Sequence, residues 1–219
     1  MKITKYIHSC LLLEKEGQQL LFDPGKFSFI EGLVKPEVFD QVSYILITHD
    51  HPDHLDIAAL RQIIQFSGAR VYSTQEVAHK LGPESFVVEV VEEGTFLLGP
   101  FEVQAISVPH EPVLDDHLPQ MFAFLIDGRV LNPADSFSPK LLAFAGVELL
   151  ILPVMAPFLT ELVVVNFACK LRPRQILPVH DGYAKPFFLQ QRYETYKPYF
   201  DQEGIQFRPL QEPGQFIIL

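Results

Sequence analysis

Apolar and polar positions along the chain fall in short blocks whose period changes several times. Residues 2–7, 11–14 and 19–22 are aliphatic and β-branched runs of strand length, and Glu16-Gly17 supplies the turn of a predicted hairpin. Asp23-Pro24-Gly25 then breaks the chain, and residues 26–39 read as a loop carrying Phe27, Phe29, Ile30 and Leu33, side chains that core packing beneath the loop would use. Residues 42–47, Val-Ser-Tyr-Ile-Leu-Ile, predict a buried strand that Pro52 and a polar cluster stop. Asp56 is a good N-cap for the helix that follows, whose apolar positions Ile57, Leu60, Ile63 and Ile64 keep a helical period until Gly68. A strand at 70–72 leads into Ser73-Thr74-Gln75-Glu76, which has the capping-box form and opens a helix ending at Gly82-Pro83.

Strands are predicted at 85–91, 95–98 and 101–108, the last broken by Pro109-His110-Glu111-Pro112. Beyond a polar loop at 111–120, residues 121–126 and 129–131 flank Asp127-Gly128, a strong hairpin signal. A short helix at 139–144, a strand at 148–152, a helix from a Thr160 cap to Lys170 and a strand at 175–179 ending in His180 come next. A helix at 187–200 and strands at 205–207 and 216–219 complete the chain. Two blocks of strands, each followed by helices, suggest an α/β chain in which two sheets pack face to face with helices outside, an αββα sandwich; the strand pattern alone leaves this one of several architectures.

The length of 219 residues suits one large domain or two small ones, and no repeat, low-complexity segment or composition shift marks a linker, so a single domain over 1–219 is expected. No apolar stretch reaches membrane-spanning length, and the N-terminus lacks a basic-then-apolar signal segment. Two cysteines, Cys10 and Cys169, do not make a disulfide framework, so a reduced cytoplasmic protein is expected. The 17 Lys and Arg against 27 Asp and Glu leave a net charge of −10, with only a weak basic cluster at 170–174, which disfavours nucleic acid as a partner.

The chemistry concentrates in Thr48-His49-Asp50-His51-Pro52-Asp53-His54, at the carboxyl end of the strand over 42–47, where α/β folds bind ligands. Imidazole with carboxylate suits divalent zinc, iron or manganese. His49 and His51, two apart, lie on one face of extended backbone and can grip one metal, while Asp53 and His54 come after the turn and could hold a second beside it. Two such metals about 3.5–4 Å apart would share a bridging hydroxide, the nucleophile of a hydrolase.

At these residues the chain resembles the metallo-β-lactamase superfamily, whose signature is His-x-His-x-Asp-His after a strand. More narrowly it is similar to small metal-dependent hydrolases of the lactonase-like branch, which often begin with a short strand ending in Gly-His-Ser, here Ile7-His8-Ser9. The resemblance extends to about residue 185. It implies a four-layer αββα sandwich of mixed sheets, His110 as the third His of the first metal site, Asp135 as the carboxylate bridging both metals, and His180 completing the second site with Asp53 and His54. Many such proteins have Gly-Asp where this chain has Ala134-Asp135, so a different local turn is expected. In the same proteins the loop over 26–39 borders the mouth of the site. Thr160-Glu161 matches a Thr-bearing segment of them only in part, without its flanking Gly and Met.

The expected cofactors are two divalent ions, zinc first, with manganese or iron(II) also compatible. Asp53 could orient the hydroxide as a catalytic group. His8 is read as a group that supports a metal ligand or faces the substrate, with a packed structural His as the equal alternative; Tyr183 and Lys185 could hold a substrate oxyanion or phosphate, against a plain surface turn. Asp50 is expected to fix a His tautomer or to be solvated. His117 reads as a solvated loop residue and His79 as surface. The expected activity is hydrolysis of a small-molecule ester, lactone or phosphodiester. The alternatives are a non-catalytic metal-binding module, a di-iron redox protein, against which His51 argues, and a nuclease, against which the charge argues.

Overall fold

The computed structural model describes residues 1–82, 87–114 and 117–219. Its first sheet contains β1 (Lys2–Lys5), β2 (Leu11–Lys15), β3 (Gln18–Phe22), β4 (Tyr44–Leu46), β5 (Arg70–Ser73) and β6 (Val88–Val90). The second contains β7 (Gly94–Leu98), β8 (Phe101–Val108), β9 (Met121–Ile126), β10 (Val130–Asn132), β11 (Leu149–Pro153), β12 (Gln175–Val179) and β13 (Gln206–Phe207). The last strand, β14 (Gln215–Ile218), returns to the first sheet and pairs with β1, Lys2 opposite Ile218. The helices are α1 (Lys26–Phe29), α2 (Ile57–Ser67), α3 (Gln75–Leu81), α4 (Glu161–Leu171) and α5 (Pro186–Gln202).

The two sheets repeat one plan. In each, an antiparallel half turns into a parallel half: β14-β1-β2-β3 then β4-β5-β6, and β7-β8-β9-β10 then β11-β12-β13. Between the sheets lies an apolar layer fed from both, with Leu13, Phe22 and Leu46 of the first against Phe101, Phe124 and Ile151 of the second. Leu60, Ile63, Val77 and Leu81 of α2 and α3 cover the outer face of the first sheet. Val164, Phe167, Tyr196 and Phe200 of α4 and α5 cover the second. This is the four-layer αββα sandwich, and strands buried on both faces explain the continuous apolar runs such as 121–126.

Local signals act where the chain chemistry puts them. Asp56 caps α2 by accepting from the Ala58 and Ala59 N–H groups, and Thr160 caps α4 through Val163. The capping box expected at Ser73 is displaced by one residue. Ser73 ends β5 and its hydroxyl donates to the Ile47 carbonyl at 2.7 Å, so Thr74 becomes the N-cap of α3 and accepts from Val77. Of the segment expected as a loop, residues 26–29 wind into α1 and Pro36–Phe39 into a 3-10 turn. Within the strand expected over 85–91, Val88–Val90 form β6, while residues 85 and 86, Pro83 at the expected end of the preceding helix, and 115–116 of the expected polar loop, lie outside the described residues.

Candidate metal centre

Five strand ends converge at one place between the sheets. The segment after β4 brings His49, His51, Asp53 and His54; β1 runs into His8; β8 ends before His110, β10 before Asp135 and β12 at His180. Their ligand-capable atoms form two groups, each spanning no more than 4.8 Å: His49, His51, His110 and Asp135 in one, and His8, Asp53, His54 and His180 in the other. The seven residues expected as metal ligands are therefore all brought together, and His8 joins them.

Asp135 lies between the groups. Its Oδ2 is 3.4 Å from His110 Nε2 and 3.9 Å from His49 Nε2 on one side, and 3.2 Å from His180 Nε2 and 3.4 Å from His54 Nε2 on the other. Asp53 Oδ2 stands 3.2 Å from His180 Nε2 and 3.1 Å from His8 Nε2. The turn before Asp135 places Ala134 at φ 51°, the left-handed conformation for which glycine is the easy choice. Ala134 thus adopts at this turn a conformation that glycine reaches without strain.

The outward nitrogens of four imidazoles are held by groups that only accept, or whose own proton is committed elsewhere. His180 Nδ1 faces the Met155 carbonyl at 2.6 Å, His110 Nδ1 the Glu111 carbonyl at 2.5 Å, and His54 Nδ1 the Asp23 carboxylate at 2.8 Å. Thr48 Oγ1 donates its own proton to Asp23 at 2.9 Å, so at 3.0 Å it accepts from His49 Nδ1. Each Nδ1 therefore carries the ring proton in the neutral imidazole and leaves Nε2 as a bare lone pair. The Nε2 atoms of His49, His54, His110 and His180, and Oδ1 of Asp135, are buried with no hydrogen-bond partner among the described residues. Buried lone pairs aimed at one another are costly unless a cation sits among them. The donor set, bare imidazole nitrogens and carboxylate oxygens with ordered outer partners, fits divalent metal.

The electrostatics agree. Burial resists a charged His180, yet the carboxylate of Asp135, 3.2 Å away, lifts its pKa to about 10. His54 is likewise raised well above its ordinary value because Asp135, Asp53 and Asp23 outweigh burial. Burial works to raise Asp53 and Asp135, but the imidazoles around them hold both well below the carboxylate range. The cage attracts positive charge. His8 is the exception: burial and His180 hold it down, to about 4.

Other expected residues are placed differently. Asp50 fixes no histidine; its carboxylate and carbonyl take the Lys80 ammonium at 2.9 and 2.6 Å, which ties the motif loop to α3. Tyr183 stands at the mouth, 43% exposed, its ring 6.2 Å from that of His180 and 5.7 Å from that of Phe27, and burial keeps its phenol protonated beyond the usual range. Lys185 is exposed at the N-cap of α5, outside both groups. His79 is on the surface, and exposed His117 faces the Glu76 carboxylate at 2.6 Å. Both cysteines are free.

Five residues missed in the sequence support the cage. Asp23, read only as part of a chain break, accepts from the Thr48 N–H at 2.8 Å as well as from the Thr48 hydroxyl and His54. Burial pushes its carboxyl up, and His54 pulls it back. Gly25 touches the motif backbone: a Cβ there would lie 1.7 Å from the Asp53 carbonyl oxygen. Lys5 and Asp181, both buried, pair at 2.5 Å beside His180, and Tyr193 donates to the same carboxylate. An Asp at a strand end just before the motif strand was the available signal for Asp23; the others have partners too distant in sequence to read.

The family described as Beta-lactamase superfamily domain matches residues 2–180. Protein Rv0786c of Mycobacterium tuberculosis is 31% identical over 196 residues, covering 85% of this chain and 86% of that protein. A UPF0173 metal-dependent hydrolase of Carboxydothermus hydrogenoformans is 29% identical over 194 residues, with 82% and 84% covered. Among solved structures, the metallo-β-lactamase fold protein YhfI from Bacillus subtilis superposes with a TM-score of 0.72 at 19% identity, over 99% of this chain and 98% of that one. With this fold, this cage at the carboxyl ends of its strands and these relatives, the chain belongs to the β-lactamase superfamily, beside proteins named metal-dependent hydrolases.

Proposed function

We propose that the protein is a hydrolase that works with two divalent cations on a small-molecule ester, lactone or phosphodiester. His49, His51 and His110 would hold one cation, Asp53, His54 and His180 the other, and Asp135 both. The observation that carries this reading is the set of four buried Nε2 atoms, without hydrogen-bond partners among the described residues, grouped around one oxygen of Asp135. Zinc is the first candidate, and manganese or iron(II) suit the same donors. Bound there, the cations would supply a water-derived nucleophile at neutral pH and polarise the substrate oxygen.

The chain's own residues do the rest. Asp53, the less buried of the two carboxylates, faces the mouth and would orient the attacking water. Tyr183, kept as a neutral phenol, would donate to a substrate oxygen. Phe158, whose ring lies 5.2 Å from that of His110 and 6.0 Å from that of His180, would add an apolar wall beside both groups. The net charge of −10 supports a small substrate over a nucleic acid. Among the described residues no helix is long and apolar enough to cross a membrane. Free Cys10 and Cys169 support a reduced, cytoplasmic setting.

The test is elemental mass spectrometry of protein purified without chelator, followed by a screen of esters, lactones and phosphodiesters. About two metal equivalents per chain are expected, with turnover that His51→Ala abolishes. Protein that binds no metal, even when metal is added back, refutes the reading. Full metal loading with no turnover over the panel would point to a non-catalytic metal-binding module instead.

A further inference from the structure

His8 has the geometry of a ligand and the wrong chemistry for one. It is 1% exposed, its ring centroid lies 4.0 Å from that of His180 with the two rings tilted by 50°, and its Nε2 is among the atoms of the second group. Two contacts decide its protonation. Gly182 donates its backbone N–H to His8 Nδ1 at 3.1 Å. A backbone N–H cannot accept, so Nδ1 is the bare nitrogen. The other ring nitrogen, Nε2, then carries the proton, and it faces Oδ2 of Asp53 at 3.1 Å. His8 is thus the mirror case of the four imidazoles above: their protons point outward and their lone pairs inward, whereas its lone pair points outward and its proton inward.

We propose that His8 is not a metal ligand but the positioning residue of the second site, which donates Nε2–H to Asp53 and sets the angle at which that carboxylate meets a cation. The inference takes its consequence, though not its tautomer, from the two-cation reading. The surrounding structure is built to hold this donor. His8 sits at φ 63°, a strained conformation for a residue with a Cβ, and its carbonyl takes the His180 N–H at 3.4 Å. Gly182 must come close to present its N–H: a Cβ there would stand 2.7 Å from Ile7 Cγ2 and 2.9 Å from His8 Cβ. The turn carrying Gly182 is anchored by the buried pair of Lys5 and Asp181 at 2.5 Å. With one lone pair of Asp53 Oδ2 occupied by His8, the remaining one is directed toward His54 and His180, whose Nε2 atoms lie 3.8 and 3.2 Å from it.

Two measurements test this without relying on activity. Long-range 15N–1H spectra of the chelator-treated full chain read each histidine's tautomer. The expected pattern is a protonated Nε2 on His8 and a protonated Nδ1 on neutral His49 and His110; a protonated Nδ1 on His8 overturns the proposal. The second measurement titrates zinc alone into His8→Ala, His8→Gln and His8→Glu. His8→Ala should weaken the second equivalent about 10- to 100-fold, the usual effect of losing an outer partner, and leave the first unchanged. His8→Gln restores a donor without a good ligand and should recover most of the loss. His8→Glu offers a ligand and no donor and should not. If His8→Glu recovers binding and His8→Gln does not, His8 is a ligand and the proposal fails. If the wild type takes up no second equivalent, the two-cation reading fails, and the spectra still decide the tautomer.

Discussion

Replacing Gly25 with alanine adds one methyl group and should disable half of the cage. The Cβ would lie 1.7 Å from the Asp53 carbonyl oxygen, 2.2 Å from its carbon and 2.7 Å from the His54 nitrogen. All three are backbone atoms, so no side-chain rotation relieves the clash, and the motif loop must retreat by ~1.5 Å to regain a normal contact. That loop is stitched to residues 24–26 by two hydrogen bonds, Lys26 N–H to the Pro52 carbonyl at 2.8 Å and Asp56 N–H to the Pro24 carbonyl at 3.0 Å. Losing both costs about 2 kcal/mol, and overpacking adds roughly 1–3 kcal/mol. A loss of about 3–5 kcal/mol is large against the roughly 5–15 kcal/mol that holds a domain together. Metal–ligand distances tolerate only about 0.2 Å of error, so Asp53 and His54 leave their site while His49 and His110 keep theirs. Guanidinium unfolding of the chelated protein reads the first effect, and elemental mass spectrometry reads the second as a fall toward one metal per chain. Gly32→Ala is the control: at φ 67° with nothing within 4 Å, it meets strain but no clash and should cost about 1 kcal/mol. Gly25→Ala with a wild-type midpoint and both metals would refute the reasoning.

Asp23→Asn keeps the shape but can turn an amide N–H toward His54 Nδ1, now 2.8 Å from a carboxylate oxygen; affinity at the His54 site should fall about 10- to 100-fold by zinc titration, and unchanged affinity would remove Asp23 from the cage. In the chelated protein the raised pKa of His180, about 10, contributes stability that is fully present below about 6.5 and lost as pH rises toward 10. Its melting temperature should therefore drop from pH 7 to 9.5, whereas the loaded protein, with cations in place of protons, should not show that drop; parallel pH curves would contradict this. Lys5→Met leaves Asp181 buried with Tyr193 alone and should cost about 3–5 kcal/mol in denaturant unfolding, and a cost below about 1 kcal/mol would mean that the pair contributes little.

What could be read from the sequence was local chemistry. Asp56 and Thr160 cap helices because their oxygens meet N–H groups two or three residues on, and Asp127-Gly128 turns a hairpin whose Ile126 carbonyl takes the Arg129 N–H at 2.9 Å. The candidate metal motif was legible for the same reason, four ligand-capable side chains within six residues. What could not be read was chemistry assembled by the fold. Ser73 had the right spacing for a cap, but β5 claimed it, and its hydroxyl went to the carbonyl of Ile47, just past the end of β4. Asp50 was expected to orient a histidine or to be solvated, yet α3 brings Lys80 to it. Asp23 meets His54 across 31 residues, and Gly182 decides the tautomer of His8 across 174.

The distribution of ligands between the sheets joins function to stability. The first sheet supplies His49 and His51 to one group, and Asp53 and His54 to the other; the second supplies His110 and Asp135 to the first group and His180 to the second. Neither sheet holds a complete site. Near the centre the links between the sheets include Phe122 N–H to the Thr48 carbonyl at 3.2 Å, His180 N–H to the His8 carbonyl at 3.4 Å, Gly182 N–H to His8 Nδ1 at 3.1 Å and the pair of Lys5 and Asp181, while Nε2 atoms from both sides meet without a hydrogen-bond partner among the described residues. A cation held at either group would add a link across the interface. Binding that occurs only in the folded state stabilises it by RT ln(1 + [L]/Kd), about 4 kcal/mol when free metal is a thousandfold above its Kd. The buried Nε2 atoms that lack a hydrogen-bond partner are therefore the same ones that would bind a doubly charged ion, and the sandwich would be held most firmly with that ion in place.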